Sequence, residues 1–155
     1  MLRYTITARF RETPEVVADT ILDLAQWSSF RGWGPLPGIR SAEFLEHMPD
    51  VVGTRIGVTN TDGSRHVEEI VEWDVGHRLH IRLCEFPKPL SLLADRFDEY
   101  WIFGDTADGS LADRVIEIVP RHLLGRMVLP IIGWMLMKAI RRHITDLGGE
   151  IVSVD

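Results

Sequence analysis

The chain has 155 residues, enough for one domain with an ordinary core and too few for two. With 45% hydrophobic and 26% charged residues it is neither disordered nor fibrous. A formal net charge of −6 excludes the basic footprint that nucleic-acid binding needs.

Residues 3–10 alternate, with Tyr4, Ile6, Ala8 and Phe10 on one face and Arg3, Thr5, Thr7 and Arg9 on the other. That period of two predicts a half-buried strand, and no apolar signal segment is expected at this end. Thr13-Pro14-Glu15 is a helix start, with Thr at the N-cap, Pro at the first helical position and an acid near the positive end of the dipole. Val17, Ile21 and Leu24 at helical spacing extend it over residues 14–25. Residues 27–38 set Trp27, Phe30 and Trp33 among Gly32, Gly34, Pro35, Pro37 and Gly38, a turn or second short helix that opens into a loop.

Strands follow at residues 39–46, 54–60, 65–74, 77–84, 97–104 and 112–119. Asp62-Gly63, Gly76 and Asp108-Gly109 supply tight joints, so the strands pair as an antiparallel meander. The exception is residues 85–96, a long connection carrying Leu90, Leu92 and Leu93, read as a lid or contact loop. Beyond Pro120 the pattern is helical to about Leu147, with a kink or an early stop expected at Pro130 and Gly148-Gly149 as the end. Residues 127–137 are uncharged, but a membrane-spanning helix needs roughly 20 apolar residues, so a buried helix is expected and no transmembrane segment.

A single sheet with one apolar face needs a cover, and the last helix is the only element long enough to provide it. Four segments form a joint pattern: Thr13-Pro14-Glu15-Val16-Val17 with Trp27, Glu68-Glu69-Ile70-Val71-Glu72-Trp73 with Arg78-Leu79, Glu99-Tyr100-Trp101-Ile102-Phe103, and Leu124-Gly125-Arg126 with Pro130. In their order and spacing the chain resembles the START-like, Bet v 1-like superfamily (the SRPBCC or helix-grip group), which includes polyketide cyclases and lipid-transfer domains. The resemblance implies one α+β domain over residues 1–155. A curved antiparallel sheet of about seven strands would wrap a long C-terminal helix, with one or two short helices after the first strand. It also implies an apolar cavity for a small hydrophobic molecule, of order ~300–1,000 Å³, and no obligatory cofactor. Through it the lining is assigned to Trp27, Phe30, Trp33, Val58, Val67, Glu69, Val71, Ile81, Leu83, Leu92, Glu99, Trp101, Val128, Ile132 and Met135.

Metal chemistry has no support in the spacing of the six histidines, at 47, 66, 77, 80, 122 and 143. The lone Cys84 permits no internal disulfide, fits a reducing, cytoplasmic setting, and has no neighbour marking it as a nucleophile. Residues 32–38 are glycine-rich without the spacing or the following helix of a phosphate-binding turn. Paired carboxylates are the sharper signal. Glu69 shares a register with Val67, Val71 and Trp73, and Glu99 with Phe97, Trp101 and Phe103. A carboxylate on an apolar face can act as an acid or base, or can pair with an arginine. Three readings follow: a carrier of a small hydrophobic molecule, a cyclase or dehydratase using Glu69 or Glu99, and a module whose apolar helix half makes a homodimer or a transient membrane contact.

Overall fold

A computed structural model describes all residues, 1–155. Strand β1 (Leu2–Phe10) leads into helix α1 (Pro14–Leu22) and a 3-10 helix (Leu24–Ser29). Then come β2 (Ile39–Glu46), β3 (Arg55–Asn60), β4 (Arg65–Asp74) and β5 (Arg78–Cys84). A single turn, α2 (Leu90–Leu93), precedes β6 (Ala94–Thr106), β7 (Gly109–Pro120), the long helix α3 (Leu123–Asp146) and β8 (Glu150–Val154). The strands form one sheet in the order β2-β3-β4-β5-β6-β7-β1-β8, every pair antiparallel. This is the expected α+β arrangement, with β8 as an eighth strand on the edge beside β1.

The expected helix over residues 14–25 is split. Asp23 leaves the helical region at φ −80° and ψ 87°, and the chain tightens into the 3-10 turns, where Trp27 Nε1 donates to Ile21 O at 2.9 Å. Helix α3 does not end at Pro130. Proline removes one helical donor there, and packing along the rest of the helix outweighs that loss. Two glycines let α3 approach closely: a Cβ on Gly133 would collide with the Tyr4 ring, and one on Gly125 would collide with the Leu93 carbonyl.

The core has two parts. Ile6, Ala8 and Phe10 of β1, Phe97, Trp101 and Phe103 of β6, and Leu129, Met137, Ile140 and Ile144 of α3 belong to the larger. Ile56, Val58 and Ile70 form a smaller cluster beneath Trp27, Leu22 and Leu24. Strand β4 holds the main departure from simple alternation. Ile70 pairs with Ile81 and Glu72 with His80, so Val71 is the extra residue of a bulge. The bulge reverses which residues point inward. Before it, Glu68 and Ile70 face the concave side; after it, Trp73 does, packed against both core clusters.

Candidate functional site

A cavity lies between the concave face of the sheet, the 3-10 helix and the C-terminal half of α3. It has two adjoining lobes of about 250 and 290 Å³, each smaller than the expected range. Phe10, Val17, Ile21, Trp27, Ile81 and Trp101 line the first. Leu36, Leu83, Phe86, Leu90, Leu136 and Ile140 are among the residues lining the second. Phe30, Ile39, Glu68, Glu99 and Arg114 line both, so a buried ion pair and a second carboxylate sit at the waist; Gln26 and His143 add polar groups to the first lobe, and Asn60, His66 and Lys88 to the second.

Strands β6 and β7 position the central pair. Trp101 lies opposite Arg114 and Glu99 opposite Ile116, which places the Arg114 guanidinium within reach of Glu99 across the diagonal. Arg114 Nη2 donates to Glu99 Oε2 at 3.1 Å. Its Nε lies 2.9 Å from Oε1 but is poorly aligned, and no hydrogen bond satisfies it. Trp101 Nε1 donates to Oε1 at 2.7 Å, and the guanidinium lies over the Trp101 ring at 4.9 Å. Glu99 and Arg114 are both buried. The carboxylate is therefore neutralised in place by a charge and an indole N–H.

Helix α3 brings His143 to the other side of Arg114. Leu136, Ile140 and His143 recur at helical spacing along the cavity wall, and Leu147 follows at the helix end. Ser29 Oγ donates to Gln26 O at 2.6 Å, so its remaining contact with His143 Nε2, at 3.0 Å, is accepted from that nitrogen. This assigns the proton to Nε2 and leaves Nδ1 to accept from Arg114 Nη1 at 3.4 Å. Burial, and secondarily the Arg114 charge, hold the imidazole pKa down to about 4 against the opposing pull of Asp146. His143 is thus a neutral link between the arginine and the 3-10 helix.

Glu68, from β4, is the second buried carboxylate of the cavity. His66 Nε2 lies 3.2 Å from its Oε1, and Asn60 Nδ2 meets His66 Nδ1 at 3.3 Å. Its other oxygen has no protein donor. No three His, Cys, Asp or Glu side chains stand close enough to hold a metal ion. Burial, with the charges of Glu85 and Glu69, raises the Cys84 thiol pKa, which disfavours the thiolate a nucleophile would need.

Of the residues expected at the cavity, Trp27, Phe30, Ile81, Leu83, Glu99 and Trp101 line it. The β4 bulge corrects the rest of that strand: Glu69 pairs across to Arg55 and Arg82, with Val67 opposite Gly57 and Cys84, and Val71 is the bulged residue. None of these three lines the cavity, and Glu68 takes the place expected of Glu69. Val58 fills the smaller core cluster. Leu92 is 51% exposed, while Leu90 and Leu93 pack down on the core. Trp33 stands edge-on to Trp134, with ring centroids 4.8 Å apart, outside both lobes. Val128, Ile132 and Met135 lie on α3 above the cavity, whose wall begins at Leu136. Sequence reasoning misses Arg114 and His143, although each sits in an apolar register: Arg114 with Ala112, Ile116 and Ile118, His143 with Leu136, Ile140 and Leu147.

No protein-family model and no curated protein matches the chain by sequence. Solved structures match it over nearly its whole length. A protein of Thermus thermophilus is 15% identical, covers 93% of this chain and 92% of its own, and has a TM-score of 0.68. Ara h 8.0201, a Bet v 1 allergen, is 13% identical with 92% and 94% covered and a TM-score of 0.64. The protein XoxI of Bacillus cereus is 14% identical with 92% and 93% covered and a TM-score of 0.63. At these identities the likeness is one of fold, and the fold is the Bet v 1-like, helix-grip fold.

Proposed function

We propose that the protein binds and carries a small, largely apolar molecule bearing one uncharged hydrogen-bonding group, held at the waist of the cavity. The observation that carries this reading is the Glu99–Arg114 pair. A guanidinium has five N–H donors, and here His143 and Glu99 occupy one on each terminal nitrogen, while Nε lies against Glu99 Oε1 without a hydrogen bond. One N–H on each terminal nitrogen remains for a ligand acceptor, while the charge itself is already balanced. A carbonyl or hydroxyl oxygen suits such a group better than a carboxylate, because an anion would have to compete with Glu99. The free oxygen of Glu68 offers a complementary acceptor for a ligand O–H or N–H.

Carriage is favoured over acid–base chemistry by the same contacts. Glu99 has both oxygens engaged, so moving a proton there disrupts the Trp101 and Arg114 bonds, and Glu69 does not line the cavity. The test is saturable binding of N-phenyl-1-naphthylamine, a neutral apolar probe with one N–H. Ile39→Trp enlarges a side chain that lines both lobes, and the folded variant is expected to bind the probe at least tenfold more weakly. Unchanged affinity in that variant, or no saturable binding by the wild type, overturns the reading.

A further inference from the structure

The outward face of α3 carries a continuous row of exposed apolar side chains. Leu123, Leu124, Met127, Ile131 and Trp134 are 72, 56, 70, 61 and 51% exposed, spaced so that they form one stripe along the first three turns. Leu92 of α2, 51% exposed, stands near its start, where α2 packs on α3. Beyond Trp134 the same face turns cationic with Lys138, Arg141 and Arg142. No acidic residue occurs between Arg121 and Thr145, in a chain whose net charge is −6. Arg121 is paired with Asp95, but Arg126, Lys138, Arg141 and Arg142 belong to none of the protein's ion pairs. The charge of Lys138, Arg141 and Arg142, which continue the stripe at helical spacing, is therefore uncompensated and collected on one face.

We propose that this face of α3 docks on a membrane surface containing anionic lipid. The charge pattern selects that occupant. A second copy placed face to face would bring two sets of unpaired cations together, whereas anionic headgroups neutralise them and acyl chains receive the apolar stripe. Trp134 stands where the two halves meet, edge-on to Trp33, with Lys138 Nζ 5.7 Å from its ring centre. An amphipathic ring beside a cation suits the boundary between headgroups and chains. The helix lies on the bilayer and does not cross it. Its length and composition would suffice for a span. Yet Gly125, Leu129, Gly133, Met137, Ile140 and Ile144 are buried against the protein along its other side. Docking sets the second lobe of the cavity near the bilayer, since Leu36 of that lobe pairs with Trp33, which meets Trp134, and Leu90 of that lobe shares α2 with Leu92. That placement suits loading from lipid and rests on the proposed function; the docking itself does not.

The test is sedimentation of the full chain with vesicles of phosphatidylcholine alone and of phosphatidylcholine with about 30% phosphatidylserine. Partition onto the anionic vesicles is expected to be at least tenfold stronger and to weaken with salt. Lys138→Glu with Arg142→Glu should abolish that advantage, at roughly fivefold or more per charge. Met127→Ser with Ile131→Ser, both exposed and so harmless to folding, should reduce partition on both vesicle types at least tenfold. Equal partition by these variants and the wild type, or no partition by folded wild type at low salt, overturns the proposal. So does a stable dimer in light scattering that the Met127/Ile131 variant dissolves. Ile39→Trp is expected to keep vesicle binding, so failure of the cavity reading and failure of docking are separately visible.

Discussion

Asp98 and Glu99 are neighbours on β6, both buried, and they face opposite sides of the sheet with opposite consequences. On the convex side Asp98 takes His80 Nε2 at 2.8 Å, Arg82 Nε at 3.0 Å and Arg96 Nε at 2.8 Å. Burial alone works to raise its pKa, but these three hydrogen bonds and the Arg82 charge outweigh it and hold the carboxyl below the usual range. His80 stacks on Tyr100 at 4.3 Å, and Arg78 covers the same ring at 4.9 Å. The Asp98 carboxylate is consumed by protein donors and lines neither lobe. On the concave side, Glu99 engages an arginine that keeps donors free toward a cavity. The same chemistry serves as a staple on one face and as a site on the other; what separates them is whether any hydrogen-bonding capacity is left over.

Breaking the two pairs should give unequal losses. Arg114→Met leaves the Glu99 carboxylate buried with the Trp101 N–H as its remaining donor, and removing one partner of a buried pair costs about 3–5 kcal/mol. Asp98→Asn removes a charge from between Arg82 and Arg96, whose side chains are 36 and 39% exposed and can turn to water. Its expected cost is smaller, about 1–3 kcal/mol. Urea unfolding of the two variants checks the order; an equal or larger loss for Asp98→Asn would mean that the convex cluster, not the cavity pair, is the costlier to break.

Acid should separate the two faces by pH window. His143 titrates near 4 in the folded protein against 6.5 ordinarily, so the unfolded chain takes up its proton first. The stability it contributes is complete above pH 6.5 and is lost as pH falls toward 4, by about 3 kcal/mol over the interval. Asp98 acts in a lower window. With its folded pKa depressed, its contribution is present above its ordinary value of about 3.9 and fades only as pH falls through the folded value. Stability curves for His143→Gln should therefore be flatter between pH 6.5 and 4, and those for Asp98→Asn flatter only below about 4. A His143→Gln curve parallel to wild type over the upper window would place His143 in a solvated, unlinked position.

How far the sequence discloses these faces depends on regularity. From Phe97 to Phe103 strand β6 alternates without interruption, so Phe97, Glu99, Trp101 and Phe103 form the one inward row that their spacing predicts. Strand β4 looks equally regular, because Val67, Val71 and Trp73 share odd numbers, but the bulge at Val71 splits them between faces. A bulge is set by neighbouring strands and leaves no mark in the local pattern. Arg114 and His143 are legible in principle, each the lone polar residue in an apolar row. The polarity that catches attention is usually that of a carboxylate, and a partner 15 residues from Glu99 in sequence is brought to it only by the β6–β7 hairpin. On α3 the difficulty is reversed. Residues 127–137 are uncharged all round, so periodicity does not say which of them the sheet covers; Gly125 and Gly133, where a side chain would collide with Leu93 and Tyr4, mark the buried edge.

The bulge also supplies the finest test of the comparison, with two adjacent glutamates assigned to opposite faces. Glu68 lines both lobes with one oxygen held by His66, and Glu69 lies on the outward face, opposite Arg55 and Arg82 in the strand register. Glutamine keeps the shape of either residue and removes its charge. At position 68 an apolar probe no longer enters beside a buried carboxylate, and an amide costs less to desolvate, so N-phenyl-1-naphthylamine should bind a few-fold more tightly. At position 69 the change lies on the other side of the sheet, and affinity should hold within error. The expected difference is small, so both variants are best titrated against the wild type in one series with circular dichroism to confirm folding. A response at Glu69→Gln with none at Glu68→Gln would mean that β4 runs without its bulge in solution, returning Val67, Glu69 and Val71 to the concave face and moving the boundary between staple and site by one residue.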